Sequence, residues 1–140
     1  MQRKGSAVWK GDLKDGEGQV STASGGLKDA SYTFASRFES GGKTDPEELI
    51  AAAHAACFSM ALSGQLGQAN LKPESIATSA SVTLEKTDAG FTVTAVHLAV
   101  KARVPGADRA AFDKAANNAK AGCPISRLLN AKITMEAALE

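Results

Sequence analysis

Two cysteines stand in this 140-residue chain, in unlike settings: Cys57 lies inside the apolar run Ala51-Ala-Ala-His-Ala-Ala-Cys-Phe-Ser-Met60, and Cys123 between Gly122 and Pro124. Such a pair points to redox chemistry, in which the thiolate is the reactive form, so a chemical role requires something that ionises one sulfur. Cys123 has a local means. Pro124 suits the first position of a short helix over 124–130 with Cys123 as its N-cap, which would set the sulfur against free backbone N–H groups and the positive end of the dipole. Arg127 adds positive charge one turn on. The plainer alternative for Cys123 is a small residue filling a helix-to-helix corner.

Cys57 poses the reverse problem, because burial among alanines in mid-helix raises a thiol pKa. His54, three residues earlier, shares its helical face and is a candidate base or cation, although a lone histidine there is more often simply packed. Arg37 and Glu47 are the better candidates. Arginine is always charged and forks onto a carboxylate, so an Arg37–Glu47 pair would hold a guanidinium rigidly beside a sulfur and its peroxide. Without that role, Glu47 is a helix-dipole partner and Arg37 a solvated side chain. Glu47 and Cys57 are ten residues apart, about 15 Å of axial rise on an unbroken helix. If both serve one site, either the helix breaks or a second copy packs antiparallel, which predicts a two-fold dimer with composite sites.

The elements that position these residues are legible in outline. Strand-like runs around Ala7-Val-Trp9, Gln19-Val-Ser-Thr22 and Tyr32-Thr-Phe34, separated by Gly- and Asp-rich turns, predict an antiparallel meander with Arg37 at the end of its third strand. Asp45, Pro46 and Glu48 read as N-cap, first helical residue and capping-box partner of a helix running to about Gly64 or Gly67. Residues 76–86 and 91–104 read as a hairpin turned at Thr87-Asp-Ala-Gly90, since Val96, Leu98, Val100, Ala102 and Val104 alternate at two-residue spacing. Asp108 caps a helix to Lys120, stopped by Gly122, and a last strand follows around Lys132-Ile-Thr-Met135.

Composition narrows the function classes. Net charge is +1 with interspersed signs, and aromatic residues make up 5%, so neither a polyanion stripe nor a base-stacking platform is present and nucleic-acid binding is not expected. At 44% hydrophobic, the chain can furnish one core, and a single domain over 1–140 is expected. No apolar stretch follows the two early basic residues as a signal-peptide core would, and residues 49–62, the richest segment, read as too short to span a membrane. The expectation is therefore a cytoplasmic protein, where a permanent disulfide is improbable and a transient, catalytic thiol pair is the better reading. Two Cys and two His lack a zinc-site spacing, Gly16-Glu-Gly18 and Gly25-Gly26 sit in meander turns rather than as a phosphate loop ahead of a helix, and neither a nucleophile-elbow serine nor paired catalytic carboxylates occur.

Six blocks in order carry a family resemblance: Gly5-Ser-Ala-Val-Trp-Lys-Gly-Asp12, Arg37-Phe-Glu39, Thr44-Asp-Pro-Glu-Glu-Leu-Ile50, Ala52-Ala-His-Ala-Ala-Cys-Phe-Ser-Met60, Asp88-Ala-Gly-Phe91 and Ala119-Lys-Ala-Gly-Cys-Pro-Ile-Ser126. Almost end to end, the chain resembles the OsmC branch of the osmotically inducible protein and organic hydroperoxide resistance family. The resemblance implies an α+β fold with antiparallel sheets wrapped around a long central helix, in an intertwined homodimer. It implies a thiol peroxidase acting on organic hydroperoxides, and on hydrogen peroxide less well, with no bound cofactor or metal and an external thiol or dithiol as reductant, a dihydrolipoyl protein among the candidates.

By the same likeness Cys57 is peroxidatic, Cys123 resolving, and the family's arginine and glutamate fall on Arg37 and Glu47. Local physics alone prefers Cys123 as nucleophile; the resemblance reverses that order, with Arg37 ionising Cys57. Phe38, Ile50 and Phe58 are the expected apolar lining for alkyl peroxides. Two rivals stand beside this reading: a non-enzymatic carrier of a small apolar ligand with inert thiols, and a redox sensor that uses the same disulfide without turning over.

Overall fold

The computed structural model describes residues 1–140, which divide into two compact units, Met1–Leu49 and Ile50–Glu140. In the first, β1 (Gly5–Lys10), β2 (Glu17–Thr22) and β3 (Ala30–Tyr32) form a three-stranded antiparallel meander in sequence order. Trp9 and Tyr32 both pair with Gly18 across the sheet, and their rings meet over it at 5.5 Å between centroids. A Cβ on Gly18 would come within 2.5 Å of the Tyr32 ring and 2.8 Å of the Trp9 ring, so only glycine lets the aromatic pair close.

The predicted third strand extended to Phe34, with Arg37 at its end; instead the strand stops at Tyr32 and a short helix, α1 (Phe34–Phe38), begins. The cause is a capping box: the Thr33 hydroxyl accepts from the Ser36 N–H at 3.1 Å, and the Ser36 hydroxyl accepts from the Thr33 N–H at 2.8 Å. Serine fills the place that Glu or Gln usually takes. Arg37 thereby sits on a helix.

Helix α2 (Pro46–Gln68) starts as expected. Asp45 Oδ1 accepts from the Glu48 N–H at 2.8 Å, but the Glu48 carboxylate turns to the Thr44 hydroxyl at 3.0 Å, so only one arm of the predicted box forms as drawn. The helix ends at Gln68, one residue past the expected Gly67, with Asn70 left-handed at φ 58 just beyond. Over its 23 residues α2 is long and apolar enough, by length and composition, to cross a membrane, which corrects the expectation that no segment approaches that measure. The reason is compositional: alanine keeps hydropathy high while the carboxylates, Glu47 and Glu48, sit in the first turn.

In the second unit, β4 (Ser75–Thr87) and β5 (Gly90–Arg103) form the long hairpin, and α3 (Arg109–Gly122), α4 (Pro124–Leu128) and β6 (Lys132–Leu139) follow. Asp108 caps α3 by accepting from the Ala111 N–H at 2.7 Å. Helix α4 ends two residues before the expected 130 because Leu129 is already extended, with φ −78 and ψ 127. The sheet order is β4-β5-β6, antiparallel across the hairpin but parallel between β5 and β6. Two helices bridge that return, the kind of crossover a parallel pair needs. The α+β class with two sheets and a long helix holds, and the second sheet is mixed rather than wholly antiparallel.

One helical stripe of α2 faces the core of this unit: His54, Phe58, Leu62 and Leu66, four residues apart, are all fully buried. Phe58, Leu62 and Leu66 cluster with Val96, Leu98, Val100 and Ala102 of β5 and Phe112, Ala115, Ala116 and Ala119 of α3. The alternation read from 96–104 is thus the sheet's buried face. Truncating Leu62 to alanine would leave a cavity costing about 2–5 kcal/mol.

Candidate active site

Cys57 lies one residue before the buried Phe58 and is half-exposed, on the shoulder of the core stripe; Cys123, the C-cap of α3 and N-cap of α4, is fully buried. Their sulfurs stand 2.8 Å apart, both unbonded thiols, although 66 residues separate them in sequence. Pro124 starts α4 and leaves Cys123 just outside it, so that its sulfur accepts from the Ser126 N–H at 3.5 Å.

Charge is unevenly shared between the two sulfurs. Burial raises the Cys57 pKa, and the hydrogen bond to Cys123 raises it further, against a smaller opposing pull from the Ile125 N–H. Burial also acts to raise Cys123, but the Cys57 thiol together with the Ser126 N–H, the Ser126 hydroxyl and the Ile125 N–H outweighs it, and the pKa falls below the ordinary value. Either thiol can donate across the 2.8 Å contact, and the opposite shifts leave Cys123 the more readily ionised of the two within one chain. The expectation from sequence that local physics favours Cys123 thus meets its physical cause.

Arg37 and Glu47 form the expected fork. Arg37 Nε donates to Glu47 Oε2 at 3.1 Å and Arg37 Nη2 to Oε1 at 2.7 Å, a bidentate pair that fixes the guanidinium plane. The same guanidinium lies over the Phe38 ring, 5.2 Å from its centroid. Around Arg37 and Phe38 is a pocket of about 240 Å³ walled also by Trp9, Leu13, Tyr32 and Phe34. Of the predicted apolar lining, Phe38 belongs to this pocket. Ile50 is half-buried. Phe58 is corrected: on the 54-58-62-66 stripe it sits wholly inside the core, fully buried.

The meander aromatics that wall the Arg37 pocket escaped the sequence reading. Their one signal was the pairing of Trp9 and Tyr32 over a glycine, visible only once strand register is known. His54 is packed, as the plainer reading held, but with a specific partner: its Nε2 is 2.7 Å from the Ser126 Oγ. His97 is engaged by Thr134 at 2.7 Å, and no three His, Cys, Asp or Glu side chains converge as a metal cluster would.

Comparison with known proteins bears on this geometry. Residues 39–138 match the family described as OsmC-like protein. The chain is 52% identical over 140 residues to a protein named Peroxiredoxin OsmC from Escherichia coli K12, covering 100% of this chain and 98% of that one. It is similar in fold to an organic hydroperoxide resistance protein OsmC of Legionella pneumophila, with TM-score 0.71, 24% identity and coverage of 98% and 96%. The organic hydroperoxide resistance protein OhrB of Bacillus subtilis gives TM-score 0.68, 22% identity and coverage of 98% of both chains.

Proposed function

From a chain that belongs to the OsmC family, we propose a thiol-dependent peroxidase that reduces organic hydroperoxides, with Cys57 as nucleophile and Cys123 as resolving thiol. The relative named Peroxiredoxin OsmC supports the activity. The observation that carries the site assignment is the 2.8 Å separation of two unbonded sulfurs, since a disulfide forms between them with little backbone movement.

The chemistry balances as two nucleophilic displacements that together pass two electrons from the thiol pair to the peroxide. Cys57 thiolate attacks the terminal peroxide oxygen, the O–O bond breaks, and the alkoxide leaves as an alcohol after taking a proton, giving Cys57 sulfenic acid. Cys123 thiolate then attacks the Cys57 sulfur, the S–O bond breaks, and hydroxide leaves as water. An external thiol or dithiol returns both cysteines to thiols, and a dihydrolipoyl group has the right chemistry; no bound cofactor or metal enters. Arg37, held by Glu47, supplies the cation that overcomes the raised pKa of Cys57 and polarises the O–O bond. The aromatic pocket beside Arg37 favours an alkyl or aryl group on the peroxide over hydrogen peroxide.

Since α2 is continuous from Pro46 to Gln68, the spacing of Glu47 and Cys57 favours a two-fold dimer in which the fork of one subunit serves the sulfur of the other. The surface of α2 supports a partner there: only His54, Phe58, Leu62 and Leu66 of its residues are buried within one chain, and Met60 is 78% exposed. This chemistry suits the reducing cytoplasm.

Counting free thiols before and after one equivalent of cumene hydroperoxide tests the reading. Loss of both thiols per chain, without covalent dimers on a non-reducing gel, is the expected result; retention of both would make the chain an inert carrier. Continued turnover with a dithiol distinguishes the enzyme from a sensor.

A further inference from the structure

We propose that His54 and Ser126 form a buried positioning pair that directs the Ser126 hydroxyl proton onto the Cys123 sulfur and so sets how readily Cys123 resolves the Cys57 sulfenic acid. The inference rests on the peroxidase reading for its role in turnover, but not for its geometry.

Three observations meet here. His54 Nε2 and Ser126 Oγ are 2.7 Å apart although they lie on different helices, α2 and α4. Both are buried, at 0% and 8% exposure. Ser126 also serves Cys123: its backbone N–H donates to the sulfur at 3.5 Å, and its hydroxyl is among the groups that lower the Cys123 pKa. A serine has one hydroxyl proton. If it goes to the sulfur, Nε2 must carry its own hydrogen and donate to Oγ, which leaves Nδ1 as a bare lone pair.

Nδ1 is indeed buried without a partner. In the other arrangement Ser126 would donate to Nε2, Nδ1–H would be an orphaned buried donor, and the sulfur would lose a hydrogen bond. Orphaned buried N–H groups are the rarer and costlier defect. Burial also lowers the His54 pKa, so the imidazole stays neutral: it orients the serine and does not act as the base.

The groups facing Cys123 are the Cys57 thiol from α2, the Ser126 hydroxyl and the N–H groups of Ile125 and Ser126 from α4, with the His54 imidazole one hydroxyl removed. Arg127, the charged residue of α4, is exposed, and Lys120 in the last turn of α3 is half-buried. A hydroxyl proton held on the sulfur stabilises its thiolate, the form that attacks Cys57. When the disulfide forms, that charge disappears and the donor loses its anionic acceptor.

Cys57→Ser leaves Cys123 as the sole cysteine, so its titration can be followed by thiolate ultraviolet absorbance without peroxide. In that background Ser126→Ala should raise the midpoint by about one unit, or ten-fold less thiolate at a fixed lower pH. His54→Phe should raise it as well, His54→Gln, which keeps an N–H donor, should restore it, and Ser126→Thr should leave it in place. The His54→Phe effect should vanish in a Ser126→Ala chain, because the histidine acts through the serine. An unchanged midpoint in Ser126→Ala with native circular dichroism, or a His54 effect that persists without the hydroxyl, overturns the pair. In the chain with both cysteines, Ser126→Ala should consume the first equivalent of hydroperoxide within about two-fold of wild type while dimedone traps more sulfenic acid. Failure of wild type to form sulfenic acid at all would count against the peroxidase reading instead, and the titration would still decide the pair.

Discussion

At the scale of residues, the decisive quantity is the charge on Cys57. Within one chain its pKa is raised, so at neutral pH the thiol form dominates, and the cation proposed to reverse that is Arg37. The sign fixes a pH dependence. Without Arg37, thiolate grows as pH rises toward the elevated pKa, so Arg37→Ala should be slow at pH 7 and gain rate about ten-fold per pH unit, while wild type stays nearly flat. Arg37→Lys keeps a charge but loses the bidentate hold of Glu47, and kcat/KM should fall about ten-fold or more. Steady-state rates from pH 6 to 9 check both; parallel profiles in wild type and Arg37→Ala would remove Arg37 from the ionisation of Cys57. The types of these residues were legible in sequence, because few side chains can perform such chemistry. The juxtaposition of the two sulfurs was not, since 66 residues of chain separate them. The role of Ser126 was hidden too: a serine has no chemistry of its own to advertise, and only its neighbours give it one.

Among the elements, what sequence conveyed best was whatever repeats. The two-residue alternation of β5 and the alanine-rich run of α2 fixed both elements to within a few residues, because burial imposes those periods. Short features decided by side-chain hydrogen bonds were harder. Helix α1 was taken for strand because its box uses Ser36, and β6 could not be recognised as parallel because strand direction within a sheet is set by the α3–α4 return. Phe58 went astray for a related reason, its apolar type fitting a pocket and a core equally until the helix phase was known. Gly18 gives the element scale its test. Gly18→Ala pushes a methyl against the Trp9 and Tyr32 rings, and overpacking of this kind costs about 1–3 kcal/mol. Because Trp9 is the sole tryptophan, its fluorescence should shift as the pair opens, with a lowered urea midpoint. Unchanged emission and midpoint would mean that the pair does not depend on the missing Cβ.

For the whole molecule, the apolar helix that carries Cys57 joins fold to function. It buries one stripe in its own chain and leaves much of its remaining surface exposed, and the proposed dimer would share its sites between subunits across the ten residues from Glu47 to Cys57. Mixing Cys57→Ser with Arg37→Ala, each nearly inactive alone, should then restore activity after subunit exchange, since one of the two sites regains an intact guanidinium and an intact thiol. No recovery in a proven heterodimer would place Arg37 and Cys57 of the same chain at one site.

The most direct measurement maps the sulfur that receives oxygen. Cys123→Ser and Cys57→Ser chains, each given one equivalent of cumene hydroperoxide with dimedone present, are digested and weighed by mass spectrometry. The assignment predicts a dimedone adduct on Cys57 in the first chain and no hydroperoxide consumed by the second. An adduct on Cys123 with hydroperoxide consumed by Cys57→Ser would contradict it, and would hand the nucleophile's role to the sulfur at the start of α4.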